Sequence, residues 1–179
     1  MTTEIEAKFL KINKDEIREQ LKRIGAQLVF AEKKFTRITF DNPDLKAKNS
    51  WIRLRDEGGK ITLALKMISD QNSIMGMKES SFEVNGWAEV ITFVESLGYQ
   101  KKSKEENFRE EWKLGEVIFD IDSWPQVDPW LEIEAPSENL VKEYATKLGF
   151  DYTKAVFGSA DIVYKNFYQK TIPNLLENI

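Results

Sequence analysis

Four short stretches place like charges two residues apart: Glu4 and Glu6, Arg53 and Arg55, Asp120 and Asp122, and Glu132 and Glu134. In an extended chain alternate side chains share a face, so each pair points one way while Ile5, Leu54, Ile121 and Ile133 point the other. Lys8 continues the first acidic face, and Lys66 shares a face with Thr62 and Ala64. An ordinary half-solvated sheet, charged side in water and apolar side on helices, accounts for any one of these strands. It does not account for the set, because neighbouring like charges repel and a solvated sheet gains nothing from them. The pairs make sense with something of opposite charge between them. Carboxylate oxygens bind a hard divalent cation, arginine binds phosphate oxygens in bidentate fashion, and lysine binds them as a point charge. A polyphosphate with its metal needs both sets, the cation bridging phosphate oxygens and the bases neutralising the remaining charge.

The chain has no cysteine and no histidine. That excludes disulfides, Cys or His zinc sites, a thiolate nucleophile and an imidazole base. A metal must then be held by oxygen, which points to Mg²⁺, Mn²⁺ or Ca²⁺. A net charge of −4 does not advertise nucleic-acid or anionic-membrane binding. No apolar run nears the roughly 20 residues needed to span a bilayer. The N-terminus lacks the basic-then-apolar pattern of a signal peptide. The expectation is a cytoplasmic protein with a small-molecule partner, no nucleic acid and no membrane. The oligomeric state is open, a homodimer being one option.

The elements that must position these charges are strands. Period-two stretches read as eight strands near 2–11, 33–41, 50–56, 60–67, 78–84, 104–113, 116–123 and 130–135. Glu57-Gly58-Gly59-Lys60 is a hairpin turn. Helical spacing appears at 14–24 after Asn13, at 86–97 after Asn85, and at 138–148 after Ser137, each ending in glycine, with a weaker helix near 159–168. Residues 68–77 lack a period and read as a surface loop, with a lid as the alternative. No linker rich in Gly, Ser or Pro divides residues 1–179, so one domain is expected. Closing eight antiparallel strands removes the sheet edges and turns the charged faces inward. The predicted class is therefore α+β: an eight-stranded antiparallel closed β-barrel, a tunnel with a charged lumen, flanked by amphipathic helices.

In this order the motifs resemble the CYTH superfamily, the triphosphate tunnel metalloenzymes, which include class IV adenylyl cyclases, thiamine triphosphatases and inorganic triphosphatases. Glu4, Glu6 and Lys8 match its Glu-x-Glu-x-Lys signature, and TFD at 39–41 its second-strand aromatic-Phe-Asp signal. IRLR supplies Arg53 and Arg55, TLALK supplies Lys66, FREEW supplies Arg109, and FDIDSWP and LEIEA are the late acidic strands. The resemblance implies that Glu4, Glu6, Glu132 and Glu134, with Asp120 or Asp122, surround Mg²⁺ or Mn²⁺. It implies that Lys8, Arg53, Arg55, Lys66 and Arg109 bind the triphosphate, with Glu4, Glu6, Lys8 and Lys66 closest to the chemistry. Two departures stand out. The basic residue the family places two positions before the late arginine is Asn107 here, with Lys104 as a substitute. The mid-chain acidic strand is reduced to Glu79, Ser81 and Glu83.

The activity implied is a metal-dependent triphosphatase acting on ATP, thiamine triphosphate or tripolyphosphate. The alternatives are a class IV adenylyl cyclase making cyclic AMP and pyrophosphate, and a polyphosphate- or nucleotide-binding module without turnover. Trp51, Trp112, Trp124 and Trp130 are candidates for stacking on a base, against the commoner role of packing.

Overall fold

The computed structural model describes residues 1–178. Its first strand is cut at one residue. Thr2–Glu4 form β1, Ile5 breaks the ladder, and Glu6–Leu10 form β2. The other strands are β3 (Gln27–Asp41), β4 (Ser50–Asp56), β5 (Ile61–Ile68), β6 (Met77–Val84), β7 (Gln100–Leu114), β8 (Val117–Ser123) and β9 (Trp130–Glu134). All pairings are antiparallel, in the order β1-β6-β5-β4-β3-β7-β8-β9-β2. The two halves of the first strand therefore border both ends of the sheet and nearly close it into a barrel. Nine segments are observed where eight strands were expected, and the cut at Ile5 is the whole difference. Past that cut, the edge of β2 left free by β1 is covered by Val156. Lys8 and Val156 exchange backbone hydrogen bonds, both 2.9 Å.

The outer faces are apolar and carry the helices. α1 (Lys14–Arg23) starts at Asn13, whose side chain accepts from the N–H of Asp15 and Glu16. α4 (Glu138–Lys147) starts at Ser137. Ile17 and Leu21 of α1 and Val141 and Ala145 of α4 pack on Ala7, Phe9, Phe119, Ile121, Leu131 and Ile133 from β2, β8 and β9. α3 (Trp87–Ser96) sets Val94 against Ile38, Phe40 and Leu54. Each fully buried side chain of this size contributes about 1.5–3 kcal/mol, so the barrel is held from outside and its lumen is free to be polar.

Several boundaries differ from the sequence reading. β3 and β7 each run 15 residues and pair as a long ribbon, beginning well before residues 33 and 104. A short helix α2 (Pro43–Ala47), capped by Asn42, follows β3. α3 begins after Gly86 at positive φ, without a side-chain cap from Asn85. The last predicted helix is a four-residue α5 (Ala160–Val163) that widens at Tyr164–Tyr168. Tyr164 donates its hydroxyl to the Pro125 carbonyl, which ties this segment to the loop between β8 and β9. The 68–77 stretch is a folded turn. Ile74 is buried in the same core as Ala7 and Phe9, and a Cβ on Gly76 would meet the Asp70 carbonyl at 1.7 Å. That anchoring argues against a hinged lid.

Candidate active site in the tunnel

The eleven charged positions that the resemblance assigns to the metal or the triphosphate line one cavity of about 1010 Å³: Glu4, Glu6, Lys8, Arg53, Arg55, Lys66, Arg109, Asp120, Asp122, Glu132 and Glu134. Strand order places them on opposing walls. β3 lies four strands from the split first strand in either direction, and β4 lies four strands from β9. The first strand and β9 carry Glu4, Glu6, Glu132 and Glu134, whereas β4 carries Arg53 and Arg55.

Glu4-Ile5-Glu6-Ala7 and Glu132-Ile133-Glu134-Ala135 are neighbours in the acidic wall. Glu6 pairs with Glu134 and Lys8 with Glu132 across β2 and β9. Lys8 Nζ lies 2.7 Å from Glu6 and 2.9 Å from Glu132. Lys66 Nζ lies 2.9 Å from Glu4 and 2.8 Å from Glu79. Burial, followed by repulsion from Glu132, pushes the Glu6 and Glu134 carboxyls up to about 7. Burial would also raise Glu132, but Lys8 and Arg109 outweigh it and hold that carboxyl well below the usual range. Glu134 has no ion-pair partner among the described residues.

Asp120 and Asp122 share a face but not the same set of partners. Arg109 donates Nε to Asp122 Oδ1 at 2.8 Å and Nη2 to Oδ2 at 2.5 Å, and Asn107 adds a bond to Oδ1 at 3.1 Å. Both Asp122 oxygens are thus committed. Asp120 gives Oδ2 to Arg109, while its buried Oδ1 has no hydrogen-bond partner and the residue stands opposite Glu132 on β9. An orphaned carboxylate oxygen beside other carboxylates is costly unless a cation or donor meets it. The oxygen-only donor set on this wall fits a hard divalent cation. Among the described residues no three carboxylates are yet placed to share one ion, because lysine and arginine heads stand between them.

The basic wall holds a residue that the sequence reading missed. Arg37 on β3 stands directly across from Arg55 on β4, beside Arg53. It has no ion-pair partner among the described residues, and its buried Nε has no hydrogen-bond acceptor. Its guanidinium stacks 4.4 Å over the Trp124 ring and donates to Asn107. Burial, then repulsion from Arg55 and Arg53, lowers it to about 9, and burial likewise lowers Arg53 to about 10. Arg37 reaches the place left without a base at Asn107. Lys104 does not, since it projects from the opposite face of β7 to Asn107 and Arg109. FTRITFD carries Arg37 on the same face as Asp41, yet with no like charge two residues away it raised no flag.

Other candidates separate cleanly. Glu79 lines the tunnel and meets Arg53 at 3.2 Å, whereas Glu83 is exposed near the far end of β6 and does not line it. Trp112 is in the outer core, donating to Glu110. Trp124 and Trp130 stack on each other with centroids 5.9 Å apart. Trp51, half-buried, lines the cavity, as the Trp124 and Trp130 pair does.

A family model described as the CYTH domain matches residues 2–162. The chain belongs to the CYTH domain family. That family includes triphosphatases and class IV adenylyl cyclases, and its members are generally dependent on a divalent metal. No curated protein is detectably similar in sequence. Solved CYTH-like structures share the fold. A Pyrococcus horikoshii OT3 protein is 22% identical with a TM-score of 0.72, over 85% of this chain and 93% of its own. A Vibrio parahaemolyticus protein, described as a candidate adenylate cyclase, is 15% identical with a TM-score of 0.75, over 92% and 98%. A Hippeastrum candidate adenylyl cyclase, described as having a dominant triphosphatase activity, is 15% identical with a TM-score of 0.59, over 95% and 98%. No helix of the described residues is long and apolar enough to cross a membrane.

Proposed function

We propose that this CYTH protein is a divalent-metal-dependent triphosphatase acting on an organic or inorganic triphosphate. The observation that carries the reading is the opposition of a carboxylate wall and an arginine wall inside one tunnel. Glu4, Glu6, Asp120, Glu132 and Glu134 would hold Mg²⁺ or Mn²⁺; Arg37, Arg53, Arg55, Lys66, Lys8 and Arg109 would hold the phosphates. Bound there, the cation supplies Lewis-acid stabilisation of charge on the phosphoryl oxygens. The chain's own groups do the rest. Guanidinium and ammonium donors align the triphosphate and neutralise its equatorial oxygens. A carboxylate of the acidic wall orients a water in line with the terminal phosphorus and accepts its proton as the new O–P bond forms. The bridging oxygen departs with its electron pair on the remaining diphosphate, which stays on the arginines.

Incubation with ATP, thiamine triphosphate and tripolyphosphate, each with Mg²⁺ and with Mn²⁺, tests this. Phosphate release is the expected result. Cyclic AMP with pyrophosphate would make the protein a cyclase, and binding without product would make it a binding module.

Asp120 and Asp122 are expected to part company. Asp120→Asn removes an oxygen from the cation set and should weaken Mg²⁺ or Mn²⁺ binding, measured by calorimetry without substrate, by about 10-fold or more. Asp122→Asn leaves that set intact but releases Arg109, so its main effect should be a raised KM. Metal affinity unchanged in Asp120→Asn and lost in Asp122→Asn would reverse the assignment.

A further inference from the structure

One partly buried polar chain in the tunnel is assigned above to neither phosphate nor metal. Thr39 and Ser103 share a hydrogen bond of 2.6 Å between their hydroxyls, and Ser103 donates to Glu105 Oε1 at 2.6 Å. All three line the cavity. Glu105 is 8% exposed and has no ion-pair partner among the described residues. Its nearest charges come from three elements: Arg37 of β3 directly opposite, Lys102 of its own strand, and Asp161 of α5. An acceptor-only carboxylate held in place by a serine hydroxyl, inside a cavity, is built to receive a donor.

The same end of the tunnel offers donors without acceptors. Trp124 and Trp130 line the cavity at 6% and 1% exposure, and both indole N–H groups are buried and have no hydrogen-bond partner among the described residues. Arg37 lies over the Trp124 ring, which also packs against Trp130 and Tyr164, and the indole N–H sits on the ring's edge. Arg37 neighbours both groups, standing across from Glu105 and over Trp124, and an acceptor and an N–H donor in that relation complement a ring edge on which an exocyclic amine sits next to a ring nitrogen. Phosphates cannot use Glu105, because two anions repel. A metal would not need the indoles. Because Arg37 stands across from Glu105, a substrate whose phosphates lie on the arginine wall would carry its organic end to this group.

Resting on the triphosphatase reading above, we infer that Thr39, Ser103, Glu105 and the edge of Trp124 form a subsite for the organic end of the substrate, one that selects heteroaromatic triphosphates bearing an amine beside a ring nitrogen. ATP has that edge. Inosine triphosphate has a carbonyl in place of the amine and would set an acceptor against Glu105. Tripolyphosphate has no organic end and reports on the phosphate wall alone.

The test is the dissociation constant of each of these three by calorimetry, on wild type, Glu105→Gln and Ser103→Ala. Wild type should bind ATP about 10-fold or more tightly than inosine triphosphate, the range expected for a hydrogen bond to a charged group. In Glu105→Gln, whose amide donates as well as accepts, the ratio should fall to near one. In Ser103→Ala, which frees the carboxylate without removing it, the ratio should fall part-way. Equal affinities for ATP and inosine triphosphate in wild type overturn the subsite. So does a loss of tripolyphosphate affinity in Glu105→Gln as large as its loss of ATP affinity. Failure of the triphosphatase reading is seen separately, as tripolyphosphate that binds to wild type and is not hydrolysed in the presence of either metal.

Discussion

Glu134→Gln is expected to cut metal-dependent turnover of tripolyphosphate by about 100-fold or more, on the order of 3 kcal/mol of transition-state stabilisation, while the fold stays intact. Glu134 has no lysine or arginine partner among the described residues. Burial, Glu132 and Glu4 push its carboxyl up to about 7, so the folded protein keeps its charge at a cost. A charge held without compensation is kept for something absent from the chain itself. The amide retains shape and loses the charge, so at pH 8 the melting temperature of the metal-free protein should hold or rise. Calorimetry with Mn²⁺ should show weakened binding before any substrate is added. Turnover and metal affinity both equal to wild type would remove Glu134 from the metal set. A variant that loses activity by melting earlier would make Glu134 structural instead.

Arg37→Met should produce the second-largest effect. The thioether keeps the stem over Trp124 and removes a guanidinium whose buried Nε has no acceptor among the described residues. Hydrogen bonds to a charged group are worth about 1.5–3 kcal/mol, so KM for tripolyphosphate should rise about 10- to 100-fold. The ligand-free protein should melt at or above wild type, because the folded state no longer desolvates that cation beside Arg53 and Arg55. Adding Asn107→Lys should recover much of the lost affinity, since it returns a base to the same part of the tunnel from the neighbouring strand. An unchanged KM in Arg37→Met would take Arg37 off the phosphate wall. A double variant no better than the single would show that the arginine acts by position rather than by charge.

Much of this site was legible in the chain before any coordinates. A strand's side chains alternate with period two, so the inward set of β2, β4, β5, β8 and β9 follows from WIRLRDE, ITLALK, VIFDID and the two EIEA strings alone. Repulsion between like charges two apart implied a partner of opposite sign. The absence of histidine and cysteine restricted any metal to oxygen ligands. These inferences are local, needing only neighbours along one chain segment.

What the sequence could not decide depends on register between strands far apart in the chain. Glu4-Ile5-Glu6-Ala7 and Glu132-Ile133-Glu134-Ala135 are the same four residues far apart in the chain; in the barrel Glu6 stands opposite Glu134 on adjacent antiparallel strands, placed there by the break at Ile5. Asp120 and Asp122 are equivalent by period, and only the reach of Arg109 from β7 commits both oxygens of one and leaves an oxygen of the other free. Lys104 looked like the substitute for a missing base, and only the paired ladder, unbroken from Lys104 to Arg109, shows that plain alternation turns it away from the tunnel. Arg37 took that place from a strand about seventy residues earlier because β3 and β7 are hydrogen-bonded neighbours. Alternation along a strand says which side chains face inward. Only the stagger between strands says which of them meet, because that offset is set by closure of the whole sheet.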